Sequence, residues 1–453
     1  MGTKNQSSSS SKSTSEPKKR RRIGFITDDG IEAVDCIDIY LVSKREEVGS
    51  PDSFLLEPID LDHFFDEDRR RFYGYKGLKI KVWINVISFH AYADISFESS
   101  SDGGRGITDL KSALQCIFAE NLVEEKDVFL QTFSTERHYI KSVVSNAELL
   151  QHETSTEHKV EVFRIVGEPL GLLYCRLVPL VLLLVDGSNP IDVTDPSWEI
   201  YLLVKKCSDS QEDEHLQMLG FAAVYRFHRY PDSARMRLGQ ILVLPQYQRK
   251  GYGNCLVKVL NNVAIRENVY DLTVEEPEDS LQHVRTCIDV ERLLAFDPIK
   301  SALESDVLRL KQENPAKRSV GDVRRFRPPA SVVEDVRKTL KINKKQLLQC
   351  WEVLVYLGLD PIEKYMEGYR AIIADKVKAD VIGKDSEVGG KRVVEVPTEH
   401  DQEMSFVMFK YDDGLSCKKD DENQANVEEQ LQKLVDERMK QIKLSADKVS
   451  VQP

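Results

Sequence analysis

The chain has 453 residues, of which 41% are apolar and 30% are charged, as in a globular protein with room for two or three domains. Its 75 acidic and 63 basic residues give a net charge of −12, which argues against non-specific nucleic-acid binding and suits a basic partner. The eight cysteines are scattered without a C-x-x-C pair, which indicates a reducing compartment and no structural zinc.

The amino-terminal arm, residues 1–22, is polar and rich in serine. Such a composition buries too little apolar surface to become ordered, so we predict a disordered arm without a hydrophobic signal segment. The basic run at residues 18–22 is either a nuclear localisation signal or a solvated arm, and the sequence leaves both open.

Residues 23–150 alternate strand-like and helical segments. The runs "CIDIYLV" and "LKIKVWINVISFHAYADISF" are typical of strands, and "LKSALQCIFAENL" is typical of a helix. This region is therefore predicted to be a small mixed α/β domain.

Residues 151–280 carry the strongest strand signals. The runs "HKVEVFRIV", "WEIYLLVKKC", "LQMLGFAAVYRF" and "RMRLGQILVLP" predict antiparallel strands, with a turn at "HRYPDS". A helix and a returning strand, "VYDLTVEE", follow. The pattern predicts an α+β fold with one parallel crossover.

The longest apolar run, "LVPLVLLLV" at residues 177–185, has only nine residues. A membrane-spanning helix needs about 20, so no membrane segment is expected. We predict instead a strand that is buried on both faces.

Residues 281–375 are predicted to form a helical domain, because "SLQHVRTCIDVERLLAF", "PIKSALESDVLRLKQ", "VVEDVRKTL" and "KQLLQCWEVLVYLGL" follow helical spacing. Residues 376–453 form a charged, irregular tail with a terminal helix. The apolar positions of that helix share one face, which is expected to dock on its own domain or else on a partner: Val427, Leu431, Leu434, Val435 and Ile442.

The segment "QYQRKGYGN", residues 246–254, joins a strand to a helix. Gly251 and Gly253 permit a tight turn and close approach of a ligand to backbone N–H groups at the positive end of the helix dipole. Arg249 and Lys250 add positive charge. The arrangement indicates a phosphate site, yet it lacks the Walker pattern and the third glycine of a dinucleotide fingerprint.

The longer segment "QILVLPQYQRKGYGNCLVKVL" resembles motif A of the GCN5-related N-acetyltransferases, with residues 248–253 matching Q/R-x-x-G-x-G/A. The resemblance implies that superfamily's mixed, mostly antiparallel sheet with flanking helices, and acetyl-coenzyme A as co-substrate. It also implies which residues bind the coenzyme: Ile241, Leu242, Val243, Gln248, Arg249, Lys250, Gly251, Tyr252, Gly253, Asn254 and Ser280. Ser280 could instead be a helix cap.

Four further stretches, "FYGYKGLKI", "NPIDVTDPSWEIYLLV", "YRFHRYPDSARMRLGQILVLP" and "LTVEEP", resemble the type B histone acetyltransferase family. The resemblance spans residues 24–350 and implies acetylation of lysines near the amino terminus of free, newly made histone H4. It further implies H3 and a WD-repeat histone chaperone of the retinoblastoma-binding type as partners, with no direct contact to nucleic acid or membrane. The expected location is nucleus and cytoplasm.

A lysine ammonium, with a reference pKa of about 10.4, must lose a proton before it attacks a thioester. The strand that ends in "VEEP" should bring its carboxylates to the thioester end of the coenzyme. The resemblance assigns the general base to Glu275 and auxiliary acidic roles to Glu276 and Asp186, the latter shorter than the family's usual glutamate. Alternatively, residues 276–279 merely open a helix with acidic first-turn residues.

For the histone peptide, the resemblance indicates an acidic cluster and an aromatic group: Asp66, Glu67 and Asp68, with Trp198, Tyr225, Arg226 and Phe227. Carboxylates attract a basic tail, and aromatic rings pack on lysine. Alternatively, the three acids belong to a solvated loop, in which the arginines at residues 69–71 could offset their charge, and the aromatic residues belong to the core or its rim. No histidine has metal-ligand spacing, so no metal is expected.

The sequence thus predicts a histone acetyltransferase that works by direct attack. Two alternatives stay open at this point: acetylation of other basic proteins or of polyamines, and a histone-binding scaffold without catalysis.

Overall fold

The computed structural model describes residues 29–450 except positions 58, 60, 66–69, 155–158, 186, 209–213, 232, 313–325 and 383–420. The predicted arm, Asp66, Glu67, Asp68 and Asp186 therefore lie outside the described residues. The chain divides into two compact units, Met1–Ser134 and Thr135–Pro453. None of the described helices combines the length and apolar character needed to cross a membrane.

The first unit is built on a mixed sheet. Its strands are β1 (Ile31–Glu32), β2 (Ile37–Val42), β3 (Phe54–Leu55), β4 (Arg71–Phe72), β5 (Tyr75–Lys76), β6 (Lys79–Asn85), β7 (Ala91–Ser96), β8 (Ser99–Ser100) and β9 (Leu122–Val123). Five of them form the sheet in the order β3-β2-β6-β7-β9, with parallel pairs β2–β6 and β7–β9. The strands expected from the apolar runs of this region are confirmed.

The helices of the first unit are α1 (Ala33–Cys36), α2 (Leu110–Phe118) and α3 (Lys126–Thr135). Helix α2 begins where the Asp109 carboxylate accepts hydrogen bonds from the next turn's backbone, as an N-cap should. The ring of Trp83 stacks between those of Tyr40 and Tyr92, each 6.0 Å away, and Phe129 extends the row. This aromatic row joins α3 to the sheet.

The second unit contains the predicted meander. Its strands are β10 (Glu148–Thr154), β11 (Lys159–Ile165), β12 (Trp198–Ser208), β13 (Glu214–Arg229), β14 (Ser233–Val243) and β15 (Leu272–Val274). They lie in chain order across one six-stranded sheet, antiparallel except for the parallel pair β14–β15. The α+β class and the parallel crossover are confirmed. Strand β10 crosses the boundary predicted near residue 150, and the five-segment division stays a prediction.

The prediction of a strand at residues 177–185 is wrong. After α4 (Tyr139–Val143), residues 177–184 belong to α5 (Glu168–Leu184), a helix with Pro179 inside it and Val185 as its C-cap. Its buried residues point in several directions, because they include both Leu177 and, on the opposite side of the helix, Pro179 and Leu183. A helix buried on most sides shows no polar face, so its 3.6-residue period is hidden.

The remaining helices follow the meander. They are α6 (Tyr252–Arg266), α7 (Asp279–Leu294), α8 (Lys300–Gln312), α9 (Ala330–Leu340), α10 (Lys344–Gly358), α11 (Glu363–Ile382) and α12 (Asp421–Ser450). Helix α6 packs on the sheet through Leu256, Val259 and Leu260. Helices α7 to α12 share a second core around Trp351. The helical region predicted after residue 280 is confirmed, and α11 extends it past residue 375.

The terminal helix α12 docks on its own unit, as expected. Val435 and Ile442 are buried, and the latter joins the core around Trp351. Leu434 is exposed, which corrects one position of the predicted apolar face. The side chain of Val427 lies outside the described residues.

Candidate active site

The glycine loop, residues 248–253, bends sharply between β14 and α6. Arg249 has φ +59° and Gly251 has φ +86°, the left-handed region that glycine tolerates best. Gly251 is the N-cap of α6, and no side chain caps the helix there. The amino-terminal N–H groups of α6 therefore lie where an anionic ligand would be stabilised.

The polar side chains of the loop hold its shape. The Gln248 side-chain amide donates to the carbonyl oxygen of Val243 at 3.1 Å, and Lys250 Nζ donates to the carbonyl oxygen of Gln246 at 3.1 Å. Apart from the adjoining backbone, a Cβ placed on Gly251 or Gly253 would meet no atom of the described residues within 4 Å. The space in front of the loop backbone is thus open to a phosphate group.

Strands β14 and β15 separate beside this loop. Their parallel pairing ends at Leu238 and Val274, and the Glu275 amide makes a last bond to the carbonyl oxygen of Leu238 at 2.9 Å. Beyond this point, β14 continues through Ile241, Leu242 and Val243 while β15 stops. Among the described strands, none pairs with residues 241–243 on the edge of β14 that faces away from β13, and the Leu242 side chain is buried.

The end of β15 carries the predicted acids. The Glu275 side chain is 54% exposed. Glu276 has φ +33°, a conformation rare outside glycine and frequent at functional sites. Glu278 is the N-cap of α7 and Asp279 is in its first turn, so the helix-opening alternative holds for these two. Ser280 is exposed inside α7 and is not its cap.

Three of the predicted peptide-binding residues form an aromatic cluster, Trp198, Tyr225 and Phe227. The Trp198 and Tyr225 ring centres are 5.1 Å apart, and those of Tyr225 and Phe227 are 4.5 Å apart. Trp198 pairs with Tyr225 across β12 and β13, which places both side chains on the same sheet face. Trp198 is half-buried at the rim rather than in the core.

Gly239 lies between the aromatic cluster and Glu275. The register of β13 and β14 shifts so that Gly239 is an extra residue, a β-bulge, between Leu238 and Gln240. A Cβ at this position would lie 3.1 Å from Cη2 of Trp198 and 3.7 Å from Oε2 of Glu275. Because Gly239 has no side chain, the Trp198 indole and the Glu275 carboxylate can both approach its backbone.

Sequence reasoning missed Arg237 and Asp195 at this site. Arg237 Nη1 lies 3.9 Å from Glu275 Oε1, and its guanidinium lies 4.4 Å from the centre of the Phe227 ring. The Tyr225 hydroxyl donates to Asp195 Oδ2 at 2.8 Å. The Ser197 amide and this hydroxyl lower the pKa of Asp195 below its ordinary value. Neither residue has a local signal, because strand pairing and a loop bring them to the site.

Arg226 does not join the aromatic cluster. Its guanidinium bonds Glu199 at 2.6 Å and Glu267 at 2.6 Å, and Arg164 bonds the same two carboxylates. Burial opposes the charge of both arginines, but Glu199 and Glu267 raise their pKa values above the ordinary one. Arg226 is thus engaged in what we call the ion network, Arg164, Glu199, Arg226 and Glu267, on the other face of the sheet.

Asp186 lies outside the described residues, but the chain just after it is anchored. The Gln240 side-chain amide donates to Ser188 Oγ at 2.8 Å and to the carbonyl oxygen of Asn189 at 2.6 Å. Gln240 follows Gly239 directly, so this loop reaches β14 beside the bulge. Within the described residues, no group of three or more His, Cys, Asp or Glu side chains could hold a metal.

Comparisons with known proteins identify relatives of the chain. A family model described as "Histone acetyl transferase HAT1 N-terminus" matches residues 30–186. A protein of Arabidopsis thaliana named "Histone acetyltransferase type B catalytic subunit" is 54% identical over 451 residues, 96% of each chain. A Zea mays protein of the same name is 46% identical, over 98% of this chain and 96% of its own.

Among solved structures, the chain is similar to an aminoglycoside acetyltransferase from an uncultured soil metagenomic sample. The identity is 14%, the TM-score is 0.20, and the match covers 26% of this chain and 78% of that one. This likeness is too weak to argue from.

Proposed function

The chain belongs to the family of type B histone acetyltransferase catalytic subunits, and we propose that it acetylates lysines near the amino terminus of free, newly made histone H4. We further propose that acetyl-coenzyme A is the acetyl donor and that Glu275 is the general base. The observation that carries the proposal is the position of Glu275 beside Trp198, across Gly239, where β14 and β15 separate.

The glycine loop supports the donor assignment. Acetyl-coenzyme A carries a pyrophosphate, and the open space before Gly251 and Gly253 at an uncapped helix start fits such a group. Arg249 and Lys250 are exposed there and would add positive charge. The free edge of β14 at residues 241–243 would then face the rest of the coenzyme with its backbone, next to Glu275.

The chemistry needs one proton acceptor. Glu275 takes a proton from the lysine ammonium, directly or through a water molecule. The neutral amine attacks the thioester carbonyl, a carbon–nitrogen bond forms, and the carbon–sulfur bond breaks. The coenzyme leaves as a thiolate with the electron pair and takes up, through solvent, the remaining excess proton of the amide nitrogen. Glu275 then releases its own proton to solvent. No covalent enzyme intermediate is required.

The aromatic cluster supports a lysine-bearing peptide as acceptor. The flat face of Trp198 can pack along the methylene groups of a lysine, and aromatic rings attract its cationic end. Asp195 and Glu275 place negative charge on either side of the cluster. The net charge of −12 further favours a basic tail.

The test is incubation of the full chain with labelled acetyl-coenzyme A and either free H4, nucleosomes or spermidine. We expect label on free H4, at least about tenfold faster than on nucleosomes, and little on spermidine. Label chiefly on nucleosomes would contradict the proposed substrate. Faster labelling of spermidine would favour polyamine acetylation.

Partners and location are further proposals. The relatives are named as a catalytic subunit, which supports an assembly with another chain. We propose that the partner chain is a WD-repeat histone chaperone of the retinoblastoma-binding type and that H3 accompanies H4. We also propose residence in both nucleus and cytoplasm, testable by imaging a tagged chain whose residues 18–22 are changed to alanine.

A further inference from the structure

Arg237 places a fixed positive charge beside the proposed general base. It lies in the middle of β14, between Tyr225 of β13 and Thr273 of β15. Its Nη1 is 3.9 Å from Glu275 Oε1, and its guanidinium lies 4.4 Å from the Phe227 ring centre. The ring and the carboxylate together hold the guanidinium in this position.

A cation here is unexpected for a site that receives a lysine. Any amine that hydrogen-bonds to Glu275 Oε1 comes within about 7 Å of Arg237 Nη1. At that distance two positive charges repel each other appreciably, even where solvent screens them. The charged ammonium is therefore disfavoured relative to the neutral amine, and only the neutral amine attacks a thioester.

We propose that Arg237 is a positioning residue that orients Glu275 and favours the neutral form of the lysine that reaches it. This inference rests on the proposed function. The groups that face Arg237 are Glu275 from β15 and Phe227 and Tyr225 from β13, with Asp195 bonded to Tyr225. The carboxylate of Glu275 attracts the lysine, whereas Arg237 selects its protonation state.

The test is the pH profile of kcat for free H4, because kcat reports groups of the ternary complex. Removal of the guanidinium removes its repulsion of the substrate ammonium, so the lysine keeps its proton up to a higher pH. For Arg237→Gln we therefore expect the acidic limb to move to higher pH by about one unit and kcat at pH 7 to fall about tenfold. The KM for H4 should stay the same or fall, since a basic tail meets one cation fewer.

Two further variants separate charge from shape. Arg237→Lys keeps the charge and should leave the acidic limb within about 0.3 pH unit of wild type. Arg266→Gln removes an exposed arginine from the end of α6, where it pairs with Glu148, and should not move the limb. It controls for the change in overall charge.

Several outcomes would overturn the inference. A purely structural role would lower kcat of Arg237→Gln at every pH without moving the limb. Equal impairment of Arg237→Lys and Arg237→Gln would deny a role for charge. An inactive wild-type enzyme would overturn the proposed function as well, whereas an active wild type with an unmoved limb in Arg237→Gln overturns this inference alone.

Discussion

Successive side chains of β12 and β13 point to opposite faces of the sheet, and the two faces carry different kinds of side chain. Trp198 and Tyr225 lie half-buried on the face that includes Glu275, while the adjacent Glu199 and Arg226 belong to the ion network on the other face. Glu275 is 54% exposed and Glu199 is only 5% exposed. Exposed, weakly paired groups can meet a substrate, whereas buried, ion-paired groups stabilise the fold.

The largest expected effect is a loss of stability when a residue on the ion-network face is replaced. Glu199→Ala removes one of the two carboxylates that the partly buried Arg164 and Arg226 share, and the Tyr201 hydroxyl loses its acceptor. We expect the free energy of unfolding to fall by about 3–5 kcal/mol. Denaturant titration measures it, and Glu275→Gln is the matched control, with a change below about 0.5 kcal/mol. Equal stability losses in both variants would remove the distinction.

A second prediction concerns the spacing on the aromatic face. Gly239→Ala should lower kcat about tenfold, because the added Cβ would lie 3.1 Å from the Trp198 ring beside Glu275. Trp198→Phe removes the outer ring that causes the contact, so the double variant should recover part of the activity. Steady-state kinetics on free H4 would measure this. If the double variant recovers no activity, glycine is required by the backbone of the bulge and not by the closeness of the indole.

A smaller effect is expected in the glycine loop. Gly251→Ala adds a methyl group at the N-cap of α6, where φ is +86° and no described protein atom lies within 4 Å. The KM for acetyl-coenzyme A should rise by about three- to tenfold, because the methyl group occupies space proposed for phosphate and strains the loop backbone. Binding calorimetry with coenzyme A would check this. An unchanged affinity would place the pyrophosphate elsewhere.

The smallest effect is a pH dependence on the ion-network face. Burial alone would raise the pKa of Glu267, but Arg164 and Arg226 lower it below its ordinary value. Its contribution to stability is therefore present above the unfolded-state pKa, about 4.3, and is lost as pH falls through the folded-state pKa. Melting temperatures of wild type and Glu267→Gln should converge in acid. A constant difference down to low pH would contradict the lowered pKa.

Much of the site could be predicted from local signals. The glycine loop is marked by turn-forming residues between a strand and a helix, and the strand carrying Glu275 returns soon afterwards. Gly239 could also have been recognised, because an isolated glycine within an apolar strand often marks a bulge. The period of two along β13 likewise separates Arg226 from Tyr225 and Phe227.

Other features depend on contacts distant in sequence. The apolar run at residues 177–185 has the length of a strand, yet α5 holds residues 177–184 and packs on the sheet, where Tyr174 donates to Gln240 at 2.8 Å. No local period reveals this packing. Arg237 reaches Glu275 through the parallel pairing of β14 with β15, and the spacing of the two residues in the sequence does not predict their contact.

The most direct measurement is a single turnover at the proposed base. Wild type and Glu275→Gln, each preloaded with labelled acetyl-coenzyme A, are mixed with excess free H4 at neutral pH, and the first transfer is timed. We expect the transfer to be about 10²- to 10⁴-fold slower in Glu275→Gln, with unchanged coenzyme affinity and melting temperature. A first transfer at the wild-type rate would contradict the assignment of Glu275 as general base.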